Sequence, residues 1–414
     1  MSSLEMAIDP LFDPAVVQDP HAYYRLLQET DPVHELVGTG SFLVTRMDLI
    51  HEVVSKPSLF SSNTGEFLHL GDWPAPGLRP ASSTAPDGGG VLATADPPDH
   101  QRQRRIVASR LSTTALRLME PEFRTLVAYE LAHIPADGRF EWMGRIAEPL
   151  PMVMVARILG LPDSTAPTLK RHGYAMVERI SGFVPEGRIQ QLEDDGINGL
   201  GDVIEAYARA RQDGSGDSDG LIGIAAQAVA DGDLDEIEAL AMLALIISAG
   251  GESTTSLIGT AARILAERPD LQQQLRTDPP LVSQFIEEAL RFDPPFRGHY
   301  RLVTRDTKLA GTALPAGSRL VLVWPAANRD QAAYDDPDDI RLDRPNPRMH
   351  VGFGWGIHLC VGAPLARLEA RVAVETLLAM TRDFHIDKEA SPLGYHPSLM
   401  VRRLVALPLV AALA

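Results

Sequence analysis

Phe353-Gly354-Trp355-Gly356-Ile357-His358-Leu359-Cys360-Val361-Gly362 is the stretch that decides how this chain folds. Together with Gly352 it holds glycines at 352, 354, 356 and 362, so the backbone can turn sharply and pass close to something flat or bulky. Cys360 stands just before a predicted helix, Ala363 to Met380, with Pro364 suited to the first turn. The positive end of that helix favours a thiolate. Cys360 is also the single cysteine of the 414 residues. An intrachain disulfide and a multi-thiolate zinc or iron–sulfur centre are thereby excluded, which leaves a buried thiol, a nucleophile or a lone thiolate ligand.

Upstream, Glu288 and Arg291 stand three apart on a predicted helix, Leu281 to Arg291, and Glu288 lies 72 residues before Cys360. On an exposed helix such a pair contributes only a few tenths of a kcal/mol. His100 and Arg104 stand four apart in His100-Gln101-Arg102-Gln103-Arg104, so two donors share a helical face and can converge on an anion. The longest helical pattern runs from about Asp235 to Glu267, roughly 50 Å at ~1.5 Å per residue. In its middle is Ala249-Gly250-Gly251-Glu252-Ser253-Thr254. Each mid-helix glycine costs about 1 kcal/mol relative to alanine, so either close helix packing or a functional distortion must compensate.

Further helices are expected from Thr113 or Thr114 to His133, from Arg145 to Leu159, and from Glu186 to Arg211. Strand patterns are short: Ser41 to Thr45, Tyr300 to Thr304, Ser318 to Trp324 and parts of Ser398 to Leu407. Ser61 to Pro98, rich in proline and glycine, reads as a long functional loop. With no repeat and no linker, the expectation is one domain over residues 1–414, mostly α (α+β), with small β-sheets.

Composition narrows the function. Hydrophobic residues at 45% and charged residues at 22% belong to a globular chain and not a disordered one. A net charge of −17 argues against a general binder of nucleic acid or anionic membrane. No run reaches the ~18 apolar residues of a membrane span. Met1 to Pro14 lacks a basic region followed by an apolar one, so a cytoplasmic location is expected.

The cysteine stretch resembles the haem-ligand loop of the cytochrome P450 family, F-G-x-G-x-H-x-C-x-G. All six fixed positions are matched, a coincidence on the order of 10⁻⁸ per starting position for equal residue frequencies. Glu288-Ala289-Leu290-Arg291 resembles the family's E-x-x-R, and Ala249 to Ser253 its [AG]-G-x-[DE]-T, with serine in the threonine position. The resemblance covers nearly the whole chain and implies a P450 fold of the soluble bacterial kind. Haem b would lie between the long central helix and the cysteine loop with its helix.

On that resemblance, Cys360 is the axial iron ligand, in a loop shaped by Phe353, Gly354 and Gly362. His100, Arg104, Arg301 and His358 meet the haem propionates. Ala249 and Gly250 mark a local opening of the long helix, where Glu252 and Ser253 relay protons and Thr254 stands one register away. Arg341 or Arg344 completes the Glu288–Arg291 network. Phe67, Leu68, Trp73, Phe183, Val184, Leu245, Ala249, Pro295, Phe296, Leu399 and Met400 form an apolar substrate pocket. The implied activity is a monooxygenase that inserts one atom of O2 into a small apolar substrate by hydroxylation or epoxidation. The chain has no nucleotide or flavin motif, so electrons come from a separate ferredoxin and its reductase. Residues 339–371 carry five arginines against three acids, and residues 99–110 four against one. These basic segments, Arg102 and Arg348 among them, are expected to orient an acidic ferredoxin. A peroxide-driven peroxygenase or isomerase and a noncatalytic binding module on the same fold are the alternatives. The Glu252–Ser253 pair argues against the first, and the intact Cys360 with its cationic clamp against the second.

Overall fold

The long apolar pattern forms one helix, Glu236–Glu267, in a computed structural model that describes residues 9–64, 66–70, 76–80, 90–213 and 220–413. Asp235 starts it with a reciprocal cap. Its Oδ1 accepts the Glu238 N–H at 2.7 Å, and Glu238 Oε2 accepts the Asp235 N–H at 3.0 Å. Pro269 opens the next helix immediately after the chain leaves this one. The central helix is long and apolar enough to cross a membrane, but most of its apolar stretch is buried within the protein, which is why it is apolar nearly all round. It packs against Pro149–Leu159, Ala166–Arg179 and Ala363–Met380.

Packing also explains the mid-helix glycines. A Cβ at Gly251 would sit 1.9 Å from Met152 Cε, and one at Gly250 would sit 2.9 Å from Val155 Cγ2. The helix runs unbroken through both positions. The local opening expected at Ala249 and Gly250 is therefore absent, and the glycines serve the close approach of Pro149–Leu159.

Other expectations need correcting. The run from Thr113 to His133 divides into Thr113–Arg117 and Glu120–Ala132. Arg145 to Leu159 opens as a wide turn over Met143–Ala147 before the helix Pro149–Leu159. Glu186 to Arg211 divides into Ile189–Asn198 and Gly201–Asp213. The division falls where His172 presses in, since a Cβ at Gly199 would lie 2.6 Å from its backbone nitrogen. Ser398 to Leu407 makes only single bridges, Phe296 to Val401 and Tyr395 to Leu404. Its backbone is engaged elsewhere: Ser398 Oγ accepts the Met400 and Val401 N–H groups at 3.0 Å each, and the Ser256 hydroxyl donates to the Arg402 carbonyl. Within Ser61 to Pro98, the strands Glu66–Leu70 and Pro76–Pro80 pair antiparallel.

The larger sheet has the order Val33–Leu36, Ser41–Val44, Arg319–Val323, Gly298–Val303, Phe60–Ser61, and only the second and third of these run parallel. Pro408–Leu413 is the middle strand of a second sheet, between Thr381–Ile386 and Arg139–Glu141.

Helix Leu281–Phe292 carries the Glu288–Arg291 pair, and both side chains are 1% exposed, so the pair is not a surface ornament. Arg291 uses all five of its donors. Nε and Nη2 reach Glu288 at 2.7 and 3.0 Å, Nη1 the carbonyls of Asn328 and Pro337 at 3.0 and 2.6 Å, and Nη2 also the Asp339 carbonyl at 2.8 Å. Of the two candidate partners, Arg344 brings its side chain to Glu288 at 3.0 Å, while Arg341 contributes its backbone N–H at 3.0 Å and turns its guanidinium to Asp336 and Asp343. Burial pushes the Glu288 carboxyl up, but these donors win and hold it below its ordinary value of 4.5. Its contribution to stability is therefore full above that value and is lost as acid protonates the folded state.

Arg291→Ala should cost about 3–5 kcal/mol, because it leaves a buried carboxylate and several carbonyls without their donors. Arg291→Lys should not rescue it, since one ammonium cannot span five acceptors. Urea denaturation midpoints of the two variants against wild type check both statements.

Candidate active site

The cysteine loop is held by its own backbone. Cys360 N–H donates to the Phe353 carbonyl at 2.9 Å, and Gly354 N–H to the Val351 carbonyl at 2.8 Å. Gly354 and Gly356 have φ of +72° and +70°, so glycine is needed at both for the turn itself. Gly362 is different: a Cβ there would meet Cys360 Sγ at an ordinary 3.8 Å. Cys360 keeps an accessible surface although the protein surrounds it closely, as expected of a thiol on a concave wall. Burial pushes the thiol up, while the Gly362 and Ala363 N–H groups, Arg104 and Arg367 pull toward the thiolate.

Beside it is a corner of positive charge. His100 and Arg104 come from helix Asp99–Ala108 and Arg301 from strand Gly298–Val303, both brought to His358 of the loop. The His100 and His358 rings lie 4.1 Å apart, and His358 Nε2 is 2.9 Å from Ser62 Oγ. Burial, then Arg301 and His100, push His358 down to about 3, and burial lowers Arg301 to about 10. Arg301 donates to its neighbour's carbonyl, Tyr300, at 2.7 Å. Among the described residues no carboxylate forms an ion pair with Arg104 or Arg301, and the buried Nδ1 atoms of His100 and His358 have no hydrogen-bond partner. Buried donors and cations left over in this way call for an anion. A haem with two carboxylates beside a lone thiolate fits both requirements.

The central helix supplies the third part. Leu245, Ile246, Ala249, Gly250 and Ser253 are partly or fully accessible and recur at helical spacing as one stripe, while the other partly accessible residues beside them, Ala244 and Ser248, meet His172. Ser253 lies on it and donates its hydroxyl to the Ala249 carbonyl at 2.7 Å. Thr254 is 3% exposed and lies off the stripe, which leaves Ser253 as the accessible alcohol. Glu252 is buried and turned to Arg403, whose Nε is 3.0 Å from Oε1. Arg403 also reaches Glu148 at 3.0 Å, and Glu148 meets Lys170 at 2.6 Å. Burial pushes the Glu252 carboxyl up, and Arg403 opposes it.

The expected pocket is only partly assembled. Leu245 and Ala249 share the stripe with Ser253. Phe183 and Phe296 are half-buried against a cluster that includes Tyr300, and Pro295 is buried. Val184 is packed with Ala175 and Leu192, and Leu399 and Met400 are buried with Val177 and Tyr300, in the cluster that Phe183 and Phe296 border. For Phe67 and Leu68 only the strand they occupy is described, and Trp73 lies outside the described residues. Arg102 also departs from expectation. It is held by Glu238 at 2.6 Å and Asp99 at 3.0 Å beside the start of the central helix, so it is not a free positive charge. Sequence reasoning missed Arg403, although two adjacent arginines in an apolar tail were a signal. It also missed Glu287, the acid next to Glu288, and Ser62, which carried no signal.

Known proteins share this architecture. The pattern of the family described as Cytochrome P450 matches residues 203–393. The chain is 41% identical over 396 residues to Cytochrome P450 144 of Mycobacterium tuberculosis (strain CDC 1551 / Oshkosh), covering 95% of this chain and 89% of the relative. It is 30% identical over 402 residues to the vitamin D(3) 25-hydroxylase of Pseudonocardia autotrophica, covering 96% of this chain and 95% of the relative. The crystal structure of CalO2 superposes with a TM-score of 0.84 at 28% identity, over 98% of this chain and 99% of that one.

Removing Arg403 should push Glu252 further up, because its buried carboxyl then has no cation. Arg403→Gln should enlarge the infrared carbonyl band of a protonated acid at neutral pH, with Glu252→Gln as the spectrum in which that band is lost. An unchanged band would mean that Arg403 does not govern Glu252.

Proposed function

We propose that this chain, which belongs to the cytochrome P450 family and is a haem b monooxygenase, hydroxylates or epoxidises a small apolar substrate with electrons from a separate ferredoxin. The observation that carries this reading is the pairing of one accessible thiol with unneutralised cations and orphaned histidine nitrogens, on a loop beside the central helix. Bound haem b supplies the activation of O2, one atom of which enters the substrate while the other leaves as water.

The chain's own residues do the rest. We assign Cys360 as the thiolate ligand, with the Gly362 and Ala363 N–H groups tempering its charge. His100, Arg104, Arg301 and His358 bind the two haem carboxylates. Phe353 and Gly354 set the turn that delivers Cys360. Leu245, Ala249 and Gly250 offer an apolar wall that excludes water, with Phe183, Pro295 and Phe296 as its extension. The relative named for 25-hydroxylation of vitamin D(3), an apolar molecule, points to the same class of substrate.

Ser253 holds a proton at Oγ on the accessible stripe. Glu252 is the acid that refills it, and Arg403 holds that acid back until it is needed. Thr254, buried off the stripe, has no part in the transfer. On the electron side, Arg348 is 76% exposed next to exposed Met349, and Trp355 is accessible on the cysteine loop. Cation and apolar surface together suit an acidic ferredoxin, the electron donor we assign, in the cytoplasm. The whole chain, 1–414, acts as one domain in this reading.

Two measurements test it. Ser253→Ala should bind substrate as wild type does but divert reducing equivalents to peroxide or water, lowering product per electron pair. Unchanged coupling would remove Ser253 from the relay. First-electron transfer from an acidic ferredoxin should slow as ionic strength rises, and Arg348→Glu should slow it at low salt; a flat salt profile would reject the electrostatic contact.

A further inference from the structure

Glu287, the residue before the E-x-x-R pair, holds a network of its own that the Glu288–Arg291 pair does not use. Its side chain is 6% exposed and carries three cationic or hydrogen-bonding neighbours. Arg367, from helix Ala363–Met380, grips it with two prongs, Nε to Oε1 at 2.7 Å and Nη2 to Oε2 at 2.9 Å. His350 Nε2 meets Oε2 at 3.0 Å, and Arg348 Nε lies 3.5 Å from Oε1. Burial alone would push this carboxyl up, yet the His350 and Arg367 hydrogen bonds bring it down to about 2.

Two of these partners, Arg367 and His350, lead to the cysteine loop. The Arg367 guanidinium carbon lies 4.5 Å from the centre of the Phe353 ring, a cation–π contact. Phe353 in turn receives the Cys360 N–H on its carbonyl at 2.9 Å. The backbone N–H of Gly352 donates to His350 Nδ1 at 3.1 Å, which requires that nitrogen to be unprotonated. His350 therefore presents its Nε2–H to Glu287 and is held at both ends. The carboxylate thus reaches the start of the loop through His350 and the Phe353 ring through Arg367. The same Arg367 is one of the charges that favour the thiolate at Cys360.

We infer that Glu287 is a positioning residue for the ligand loop: through Arg367 and His350 it fixes Phe353 and Gly352, and by balancing the Arg367 charge it sets how strongly the Cys360 sulfur donates. This rests on the reading of Cys360 as the haem ligand. Replacing the carboxylate by an amide leaves Arg367 uncompensated near the sulfur. A positive charge there favours the reduced, more negative state, so the haem should become easier to reduce. It should also weaken the grip on the loop, so that the ligand is lost before the protein unfolds.

The experiment uses the haem-loaded protein with two readouts, the midpoint potential and the urea dependence of the thiolate-type ferrous carbon-monoxide band, set against unfolding followed by tryptophan fluorescence. In wild type the band and the fold should be lost together. Glu287→Gln should shift the potential positive and lose the band at lower urea than the fold. Glu287→Asp, which keeps the charge, should stay closer to wild type in potential. Arg367→Lys keeps the cation but not the fork, and should separate the band from the fold even if Glu287→Gln does not accumulate. A purely structural role would lower both urea midpoints together with no change in potential, and that result in Glu287→Gln and Arg367→Lys overturns the inference. A wild-type protein with no thiolate-type band would instead strike the assignment of Cys360, and the inference with it.

Discussion

Everything in this molecule depends on making a buried ion pair tolerable. Taking Glu288 and Arg291 out of water costs several kcal/mol per ion, and the attraction between them repays it only when the remaining donors are satisfied. Here they are, by the carbonyls of Asn328, Pro337 and Asp339. These carbonyls belong to the irregular segment leading to the cysteine loop, so the pair fixes a stretch that has few backbone hydrogen bonds of its own. Asn328 continues the connection: its carbonyl takes Arg291, and its side-chain oxygen accepts the Val351 N–H at 2.8 Å, two residues before Phe353. A polar network, and not a strand or helix, therefore aims the loop.

The same logic accounts for what could be read in the sequence. The cysteine loop, the E-x-x-R pair and the long central helix were legible because each is a local pattern whose chemistry constrains residue type at fixed spacing. The strands at Ser41–Val44, Gly298–Val303 and Arg319–Val323 were legible as short apolar runs containing valine. The terminal segment was not. Leu399 to Leu407 looks like a strand by composition, but Ser181, Pro295, Arg297 and Ser256 take its backbone, and Asp293 and Glu252 its two arginines, into long-range contacts that no local window contains. Likewise Gly199 reads as an ordinary helix residue until His172 approaches from another helix.

The site divides along the same line. His100, Arg104 and His358 were legible through spacing to a motif, and Ser253 through its place after Glu252. The direction in which Glu252 points was not, since Arg403 lies 151 residues away in the chain. Val184, Leu399 and Met400 were assigned to the pocket from the resemblance and are buried among apolar neighbours, and an apolar side chain alone does not distinguish a wall from a core. Arg102 illustrates the converse. A count of charges along the chain treats it as free, while Glu238, on a different helix, neutralises it.

The seat of Met152 has a consequence for the lifetime of the enzyme. Its thioether fills the hollow left by Gly251, with Cε also 2.9 Å from where a Cβ at Gly173 would be, and the residue is 1% exposed. A methionine is well suited to such a seat because it is slender and adaptable. It is also oxidisable. An oxygen added to that sulfur would enter a close-packed contact, so sulfoxidation there would press apart two helices beside Glu252. An oxygenase that leaks peroxide would thus carry its own ageing clock in the contact between its central helix and Pro149–Leu159.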